Sequence, residues 1–294
     1  MSASDTVDFS TLLPQNLDSI IEGWLHDDMP SFDVGGLVVG TEEKTAQLWM
    51  KSSGVFAGKP FAQKVFDILG CHVQWHDDVI VEGEYKEVSS KVCVATVRGP
   101  VHRILRGERT ALNTLSRCSG VATISREASK IAKDLGWNGW VAGTRKTTPG
   151  FRVVEKYGLL VGGAATHRLD LSQMVMLKDN HIWSCGSIEK AVKLARKAAG
   201  FSQKIEVECQ SLEEAVEAAE AGADIVMLDN FEPERLRNEA QTFKTKFPHV
   251  LVEASGGITT ATMPDYLCPH VDIVSQGSLT QGYPCVDFSL KIMH

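Results

Sequence analysis

The stretch Gly143–Gly150 reads G-T-R-K-T-T-P-G, and it follows the apolar run Trp140–Ala142. The same pattern recurs downstream. His167–Ser172 reads H-R-L-D-L-S, and Met176–His181 reads M-L-K-D-N-H at the end of the run Met174–Leu177. Between Gly143 and His181 the chain carries six Lys or Arg against three Asp or Glu, within a protein of net charge -7. Those cations are Arg145, Lys146, Arg152, Lys156, Arg168 and Lys178, with His167 and His181 beside them. Concentrated positive charge in an acidic chain points to a local anion site rather than a broad basic surface.

Further apolar runs fall at Ile205–Val207, Ile225–Leu228, Val250–Val252 and Ile273–Val274. Helical spacing separates them at Ile188–Ala199, Leu212–Ala221 and Glu232–Phe247. Ser211 with Glu214 reads as a capping box, and Thr259 and Thr260 suit the start of a short helix. This alternation of strand and helix predicts parallel strands joined by crossover helices, as in a β/α barrel. The earlier chain has no such repeat. Ile20–Leu25 and Phe61–Leu69 read as helices, and Ala46–Lys51, His72–Trp75 and Lys91–Val97 as strands. Val101–Arg117 reads as an amphipathic helix, and Val121–Leu135 as a second one after Gly120. The domain junction therefore falls in Asn113–Gly120. It separates an N-terminal α/β domain, residues 1–117, from a β/α domain, residues 118–280. The C-terminal segment 281–294, with apolar Val286–Ile292, is expected to pack back on the first domain.

Composition narrows the function. The 294 residues include 43% hydrophobic and 23% charged side chains, ordinary for a water-soluble globular chain. A pI of about 5.7 argues against nucleic acid as partner. No run is long and apolar enough to predict a membrane span, and the first residues lack the basic head and apolar core of a signal peptide. The seven cysteines are scattered singly, which predicts reduced thiols and a cytoplasmic location, with the nucleus also open.

Each strand expected in the second domain ends in a polar or reactive group. Thr144, Arg145 and Lys146 follow the first, Lys178 ends the next, and Glu208 and Asp229 end the two after that. Ser255-Gly256-Gly257 and Ser275-Gln276-Gly277 follow the last two. Barrel active sites are built from such strand-end positions. The two late Gly loops suit a phosphate, because glycine lets backbone N–H groups approach the oxygens. Glu208 and Asp229 would hold Mg²⁺ or ribose hydroxyls, or would only orient Lys178 and Arg168. Lys178 also has a Schiff-base reading, although crowding by other cations suits an anion clamp better. His72 and His76 with Asp77 and Asp78 resemble a metal set, but a strand followed by a turn does not bring them together. Asp229-Asn230 lacks the second acid and Thr-Gly of an acidic phosphoribosyl loop, and no Walker loop or G-x-G-x-x-G occurs. Cys209 reads as a packed core thiol.

In this order the blocks E-R-T-A-L-N at Glu108–Asn113, G-T-R-K-T-T-P-G, H-R-x-D-L-S, M-L-K-D-N-H, E-V-E-C at Glu206–Cys209, L-D-N at Leu228–Asn230 and E-A-S-G-G-I at Glu253–Ile258 resemble the quinolinate phosphoribosyltransferase family. The likeness covers almost the whole chain and is close to fungal and other eukaryotic members. It implies an N-terminal α/β sandwich and an incomplete parallel barrel of about seven strands. The implied reaction transfers phosphoribosyl from phosphoribosyl pyrophosphate (PRPP) to quinolinate with decarboxylation, making nicotinate mononucleotide for NAD synthesis, with Mg²⁺ and no organic cofactor. Catalytic roles fall to Lys146, Lys178, Glu208 and Asp229. Arg145, Lys146, His167, Arg168 and Lys178 would bind quinolinate and pyrophosphate, and Thr144 lies in the same loop. Glu208 and Asp229 would lie near ribose and Mg²⁺. Ser255, Gly256, Gly257 and the Ser275, Gln276, Gly277 loop would hold the 5-phosphate, although the loop holding Gln276 and Ser278 varies in the family. Members are dimers or hexamers, with Arg109 entering the neighbouring subunit's site. The rival expectations are the nicotinate reaction without CO₂ release, a Lys178 aldolase-like barrel and a non-catalytic anion-binding barrel.

Overall fold

In a computed structural model of the chain, residues 7–293 are described. Met1–Thr6 and His294 lie outside them, and with them the reading of the extreme N-terminus, the start of the first domain and the end of the C-terminal segment. Among the described residues the elements run α1 (Leu17–Asp28), α2 (Val34–Val39), β1 (Glu43–Met50), β2 (Gly54–Val55), α3 (Lys59–Ile68), β3 (His72–Trp75), β4 (Tyr85–Lys86), β5 (Val92–Pro100) and α4 (Val101–Asp134). They continue with β6 (Trp140–Gly143), α5 (Arg152–Gly162), β7 (Val175–Leu177), α6 (Asp179–Cys185), α7 (Ile188–Ala199), β8 (Ile205–Cys209) and α8 (Leu212–Ala221). β9 (Ile225–Asp229), α9 (Pro233–Lys246), β10 (Leu251–Ser255), β11 (Ile273–Gln276) and β12 (Phe288–Ile292) complete the order.

The chain divides into two compact units. One comprises the chain up to Arg126 together with Pro149–Gly163 and the segment from Tyr283; the other comprises Glu127–Thr148 and Ala164–Gly282. The division thus falls at Arg126 on α4, and Pro149–Gly163 goes with the first unit, neither of which the spacing in the sequence indicates. The first unit holds an antiparallel sheet in the order β12-β1-β5-β3. Ala46, Leu48 and Met50 alternate along β1 and are fully buried, as a half-covered strand requires. Leu48 pairs in register with Leu290 on β12, so the C-terminal segment joins this sheet. Phe56, Phe61, Phe66 and Leu115 fill the core beside it.

One helix expectation is overturned. Val101–Arg117 and Val121–Leu135 are a single helix, α4. Gly120 does not break it. A Cβ there would lie 2.3 Å from the Pro284 carbonyl oxygen, so glycine serves a close approach of the C-terminal segment. The helices α2, α5 and α6 have no counterpart in the periodicity. Thr259 and Thr262 bond each other in a turn, and the short 3₁₀ segment after them spans Met263–Tyr266.

In the second unit six strands run parallel in the order β6-β11-β10-β9-β8-β7. Ala165 makes one parallel bridge to Ala142 on the free side of β6. Chain order places this bridge where a strand between β6 and β7 would close the cylinder. The sheet is therefore an incomplete barrel of six strands and a single bridge. Ser211 caps α8 by accepting from Glu214 N, while the Glu214 carboxylate accepts from Gln210 N, one residue short of a full capping box.

In the first unit Glu82 accepts from Gly58 N at 2.7 Å and Lys59 N at 3.1 Å, at the start of α3. Burial outweighs these bonds and pushes its carboxyl from 4.5 up to about 7. A raised carboxyl favours the folded state only while it is protonated. That contribution is present below about 4.5 and is lost as pH rises through about 7. We expect thermal melts of the wild type to lose Tm across this window and those of Glu82→Gln to lose less. Equal slopes in both proteins would remove the assignment.

Candidate active site

The parallel register brings the C-terminal strand ends to one level. Ser255 pairs with Asp229, and Gln276 with Gly143. Side chains two residues apart share a strand face. Lys178 thus lies above Met176, Glu208 above Glu206, Asp229 above Met227 and Ser255 above Glu253. Together they enclose a cavity of about 360 Å³, lined by Thr144, Arg145, Lys146, His167, Arg168, Met176, Lys178, Glu208, Met227, Asp229, Asn230, Glu253, Ser255, Gly256, Gly257 and Ser275. Arg145, Lys178 and Asp229 therefore face one space.

Of the six cations read from the sequence, Arg145, Lys146, Arg168 and Lys178 line this cavity. Arg152 and Lys156 do not. They lie on α5 in the first unit, where Lys156 is buried. His181 is also outside the lining, and its Nδ1 accepts from Lys178 N at 3.1 Å at the start of α6. Arg109 sits on α4 in the first unit, largely exposed beside Glu108 at 3.6 Å, and is not among the lining residues. Gln276 is fully buried, and its amide is spent on Met263 Sδ, Thr260 and Ser278. Its neighbour Gly277 is not among the lining residues either; its carbonyl accepts from Thr280 N, whose hydroxyl donates to Lys146 O at 2.8 Å. The loop after β11 thereby anchors the loop after β6.

The cations differ in how their charge is met. Lys178 forms an ion pair with Glu208. An ammonium held against a carboxylate is not the free amine a Schiff base needs. Arg145 Nε is buried without a hydrogen-bond partner. Arg168 donates to the Met176 thioether at 3.3 Å, a weak acceptor. Burial and then the nearby Arg145 pull the Arg168 guanidinium below its usual pKa, against the pull of Glu206 and Glu253. An anion entering the cavity would meet two guanidinium groups with unused hydrogen-bonding capacity.

Two carboxylates escape a reading based on strand ends. Glu206 and Glu253 have no solvent exposure. His167 Nε2 lies 3.0 Å from Glu253 Oε2 and 3.5 Å from Glu206 Oε2. Burial, then the charge of Glu253, raises the Glu206 carboxyl well above the ordinary range. The signal was present in the strands: in I-E-V-E-C and L-V-E-A-S, period two places these acids on the same face as Glu208 and Ser255.

The β9 and β10 loops interlock. Asn230 has φ 58° and donates its backbone N–H to Ser255 O at 2.9 Å. Gly256 has φ +102°, and a Cβ on it would lie 2.3 Å from Asn230 Oδ1. Only glycine suits both demands. The set-aside features also resolve. His76 bonds Cys93 O and Thr96 Oγ1, Asp77 pairs with Lys59, and Cys209 is a buried thiol whose pKa burial raises. All seven cysteines are free, and no helix among the described residues is long and apolar enough to cross a membrane.

Comparison with known proteins agrees along both units. The model of the quinolinate phosphoribosyl transferase C-terminal domain matches residues 121–291, and that of the N-terminal domain residues 33–119. The human protein named nicotinate-nucleotide pyrophosphorylase [carboxylating] is 54% identical over 281 residues, covering 96% of this chain and 93% of its own. The protein of that name from Dictyostelium discoideum is 51% identical over 300 residues, covering 97% and 99%. The solved nicotinate-nucleotide pyrophosphorylase from Francisella tularensis superposes with a TM-score of 0.85 at 29% identity, covering 98% of this chain and 100% of that one. The chain belongs to the quinolinate phosphoribosyl transferase family.

Proposed function

We propose that the protein transfers phosphoribosyl from PRPP to quinolinate, releasing pyrophosphate and CO₂ and leaving nicotinate mononucleotide for NAD synthesis. The observation that carries this reading is the pair Arg145 and Arg168, two guanidinium groups with unmet hydrogen-bonding capacity in one cavity at the strand ends. Quinolinate brings two carboxylates, and guanidinium forks bind carboxylates in bidentate fashion. Lys146 and Lys178 supply positive charge for pyrophosphate. The Gly256-Gly257 turn, with Ser255 and Ser275, offers hydroxyls and close backbone approach for the 5-phosphate.

Glu208 and Asp229 present hard oxygen donors at adjacent strand ends and would hold Mg²⁺ there, although Lys178 occupies one Glu208 oxygen. When bound, the metal would supply charge neutralisation for the leaving pyrophosphate. The bond from the quinolinate nitrogen to ribose C1 forms as the C1–O bond to pyrophosphate breaks. The cationic rim stabilises the departing charge. The pyridinium so made accepts the electron pair released when the 2-carboxylate leaves as CO₂, and a proton replaces it on carbon. Glu208 pairs with Lys178 at the rim of the cavity.

Incubation with quinolinate, PRPP and Mg²⁺ is expected to yield CO₂ and nicotinate mononucleotide, and product from nicotinate instead would overturn the reading. Arg168→Ala and Arg145→Ala should each weaken quinolinate binding by about 2–5 kcal/mol; unchanged affinity in titration calorimetry would remove that residue's role. Gly256→Ala should cost about 1–3 kcal/mol, from a strained φ and the clash with Asn230, and should raise KM for PRPP more than for quinolinate. Equal effects on both substrates would place the loop away from the phosphate. We further propose a dimer or larger assembly in which Arg109 completes the neighbouring site. An Arg109→Ala protein mixed with a Lys178→Ala protein should then regain part of the activity, and no recovery after proven subunit exchange would exclude the shared site.

A further inference from the structure

The resemblance assigns His167 to anion binding, yet both of its ring nitrogens are engaged inside the protein. Nδ1 lies 2.9 Å from the backbone nitrogen of Arg168. A backbone N–H can only donate, so Nδ1 accepts and carries no proton. The ring proton is therefore on Nε2, which donates to Glu253 Oε2 at 3.0 Å. The backbone of His167 has φ 53°, which folds the side chain back onto the next amide. Non-glycine residues hold that conformation at a cost, so the surrounding bonds must maintain it.

His167, Glu206 and Glu253 bring their ligand atoms within 4.8 Å of one another, close enough to suggest a metal site. The tautomer argues against it. A ligating Nε2 would have to shed its proton while Nδ1 went on accepting, which would turn the ring into an imidazolate anion. The arrangement is instead the one in which a buried carboxylate fixes an imidazole's tautomer and orientation. On the other side of Arg168 only the Met176 thioether receives a hydrogen bond from the guanidinium among the described residues. Little on the cavity side holds that group in place.

We propose that Glu253 is a positioning residue for this reaction: through the His167 ring it fixes the Arg168 backbone, and hence the guanidinium facing the cavity, while His167 makes no bond to substrate. The inference rests on the quinolinate reading above for the identity of the anion, and on the ring geometry alone for the state of His167. The buried carboxylate acts from behind the binding surface. Its loss would leave Nε2–H only the longer 3.5 Å approach to Glu206 Oε2, the ring would be held less firmly, and Arg168 would lose its register with the incoming carboxylate.

Two measurements test this. In ¹⁵N-labelled wild-type protein without substrate, the long-range ¹H–¹⁵N spectrum of His167 should show an unprotonated Nδ1 and a protonated Nε2, unchanged when quinolinate is added. A protonated Nδ1, or a ring that changes state on adding quinolinate, overturns the proposal. In steady-state kinetics Glu253→Leu should raise KM for quinolinate about ten- to hundredfold, with a much smaller change in kcat and in KM for PRPP. Glu253→Gln keeps a carbonyl acceptor for Nε2–H and should restore most of the loss; wild-type KM in Glu253→Leu, or no rescue in Glu253→Gln, overturns the proposal. If Glu253→Leu does not fold, the wild-type ring spectrum and the Glu253→Gln kinetics still decide. A wild type inert toward quinolinate, with the ring state as described, would reject the reaction and leave the Glu253–His167–Arg168 linkage standing.

Discussion

Four cationic side chains in a cavity of about 360 Å³ repel one another, and the rest of the site is organised around that repulsion. Like charges gathered in one cavity, where the effective dielectric is below that of water, raise one another's free energy. Acids at two depths offset it. Glu208 pairs with Lys178 at the rim, and Asp229 stands on the next strand. Glu253 lies below, without solvent exposure, and its charge supports that on Arg168. Hydrogen bonding is left incomplete, since Arg145 Nε and the Arg168 guanidinium lack good protein acceptors. A substrate rich in carboxylate and phosphate completes it.

Parallel strands make this arrangement possible. Each contributes one face to the barrel interior at period two, so a residue at the strand end and another two positions earlier stack in depth. Met176 and Met227 take the lower positions on two strands, and glutamates take them on two others. The apolar residues exclude water and sharpen the electrostatics, whereas the acids prevent that exclusion from stranding the cations. The loops above are tied together: Thr280 holds the Lys146 carbonyl, and Asn230 holds Ser255.

Much of the second unit is legible in the chain. The helices Ile188–Ala199 and Leu212–Ala221 have the bounds their spacing implies, because each has a capping serine before it and a glycine after it. The helices α5 and α6 are not legible. The first is buried over most of its length and offers few of the exposed polar positions that mark a surface helix, and the second is a single short segment. Gly120 misleads because a glycine required for packing looks the same in sequence as one that ends a helix. Within the site, residues at strand ends are readable from their position after an apolar run. The buried acids are not readable in that way, because a glutamate inside an apolar strand resembles an exposed edge residue until both faces of the sheet are known to be covered.

The residue types and their order alone determine that this chain builds parallel strands ending in cations, acids and glycine turns, since alternation, capping and turn chemistry are local properties. Which of those charges share a space is a matter of tertiary structure. Arg152 and Lys156 lie within one short stretch of sequence with Arg145, yet they belong to another unit. Glu253, 86 positions from His167, is the partner of its ring Nε2. Sequence spacing is a distance along the chain, whereas Coulombic attraction and hydrogen bonding act through space, and only the closed register of the strands converts one into the other.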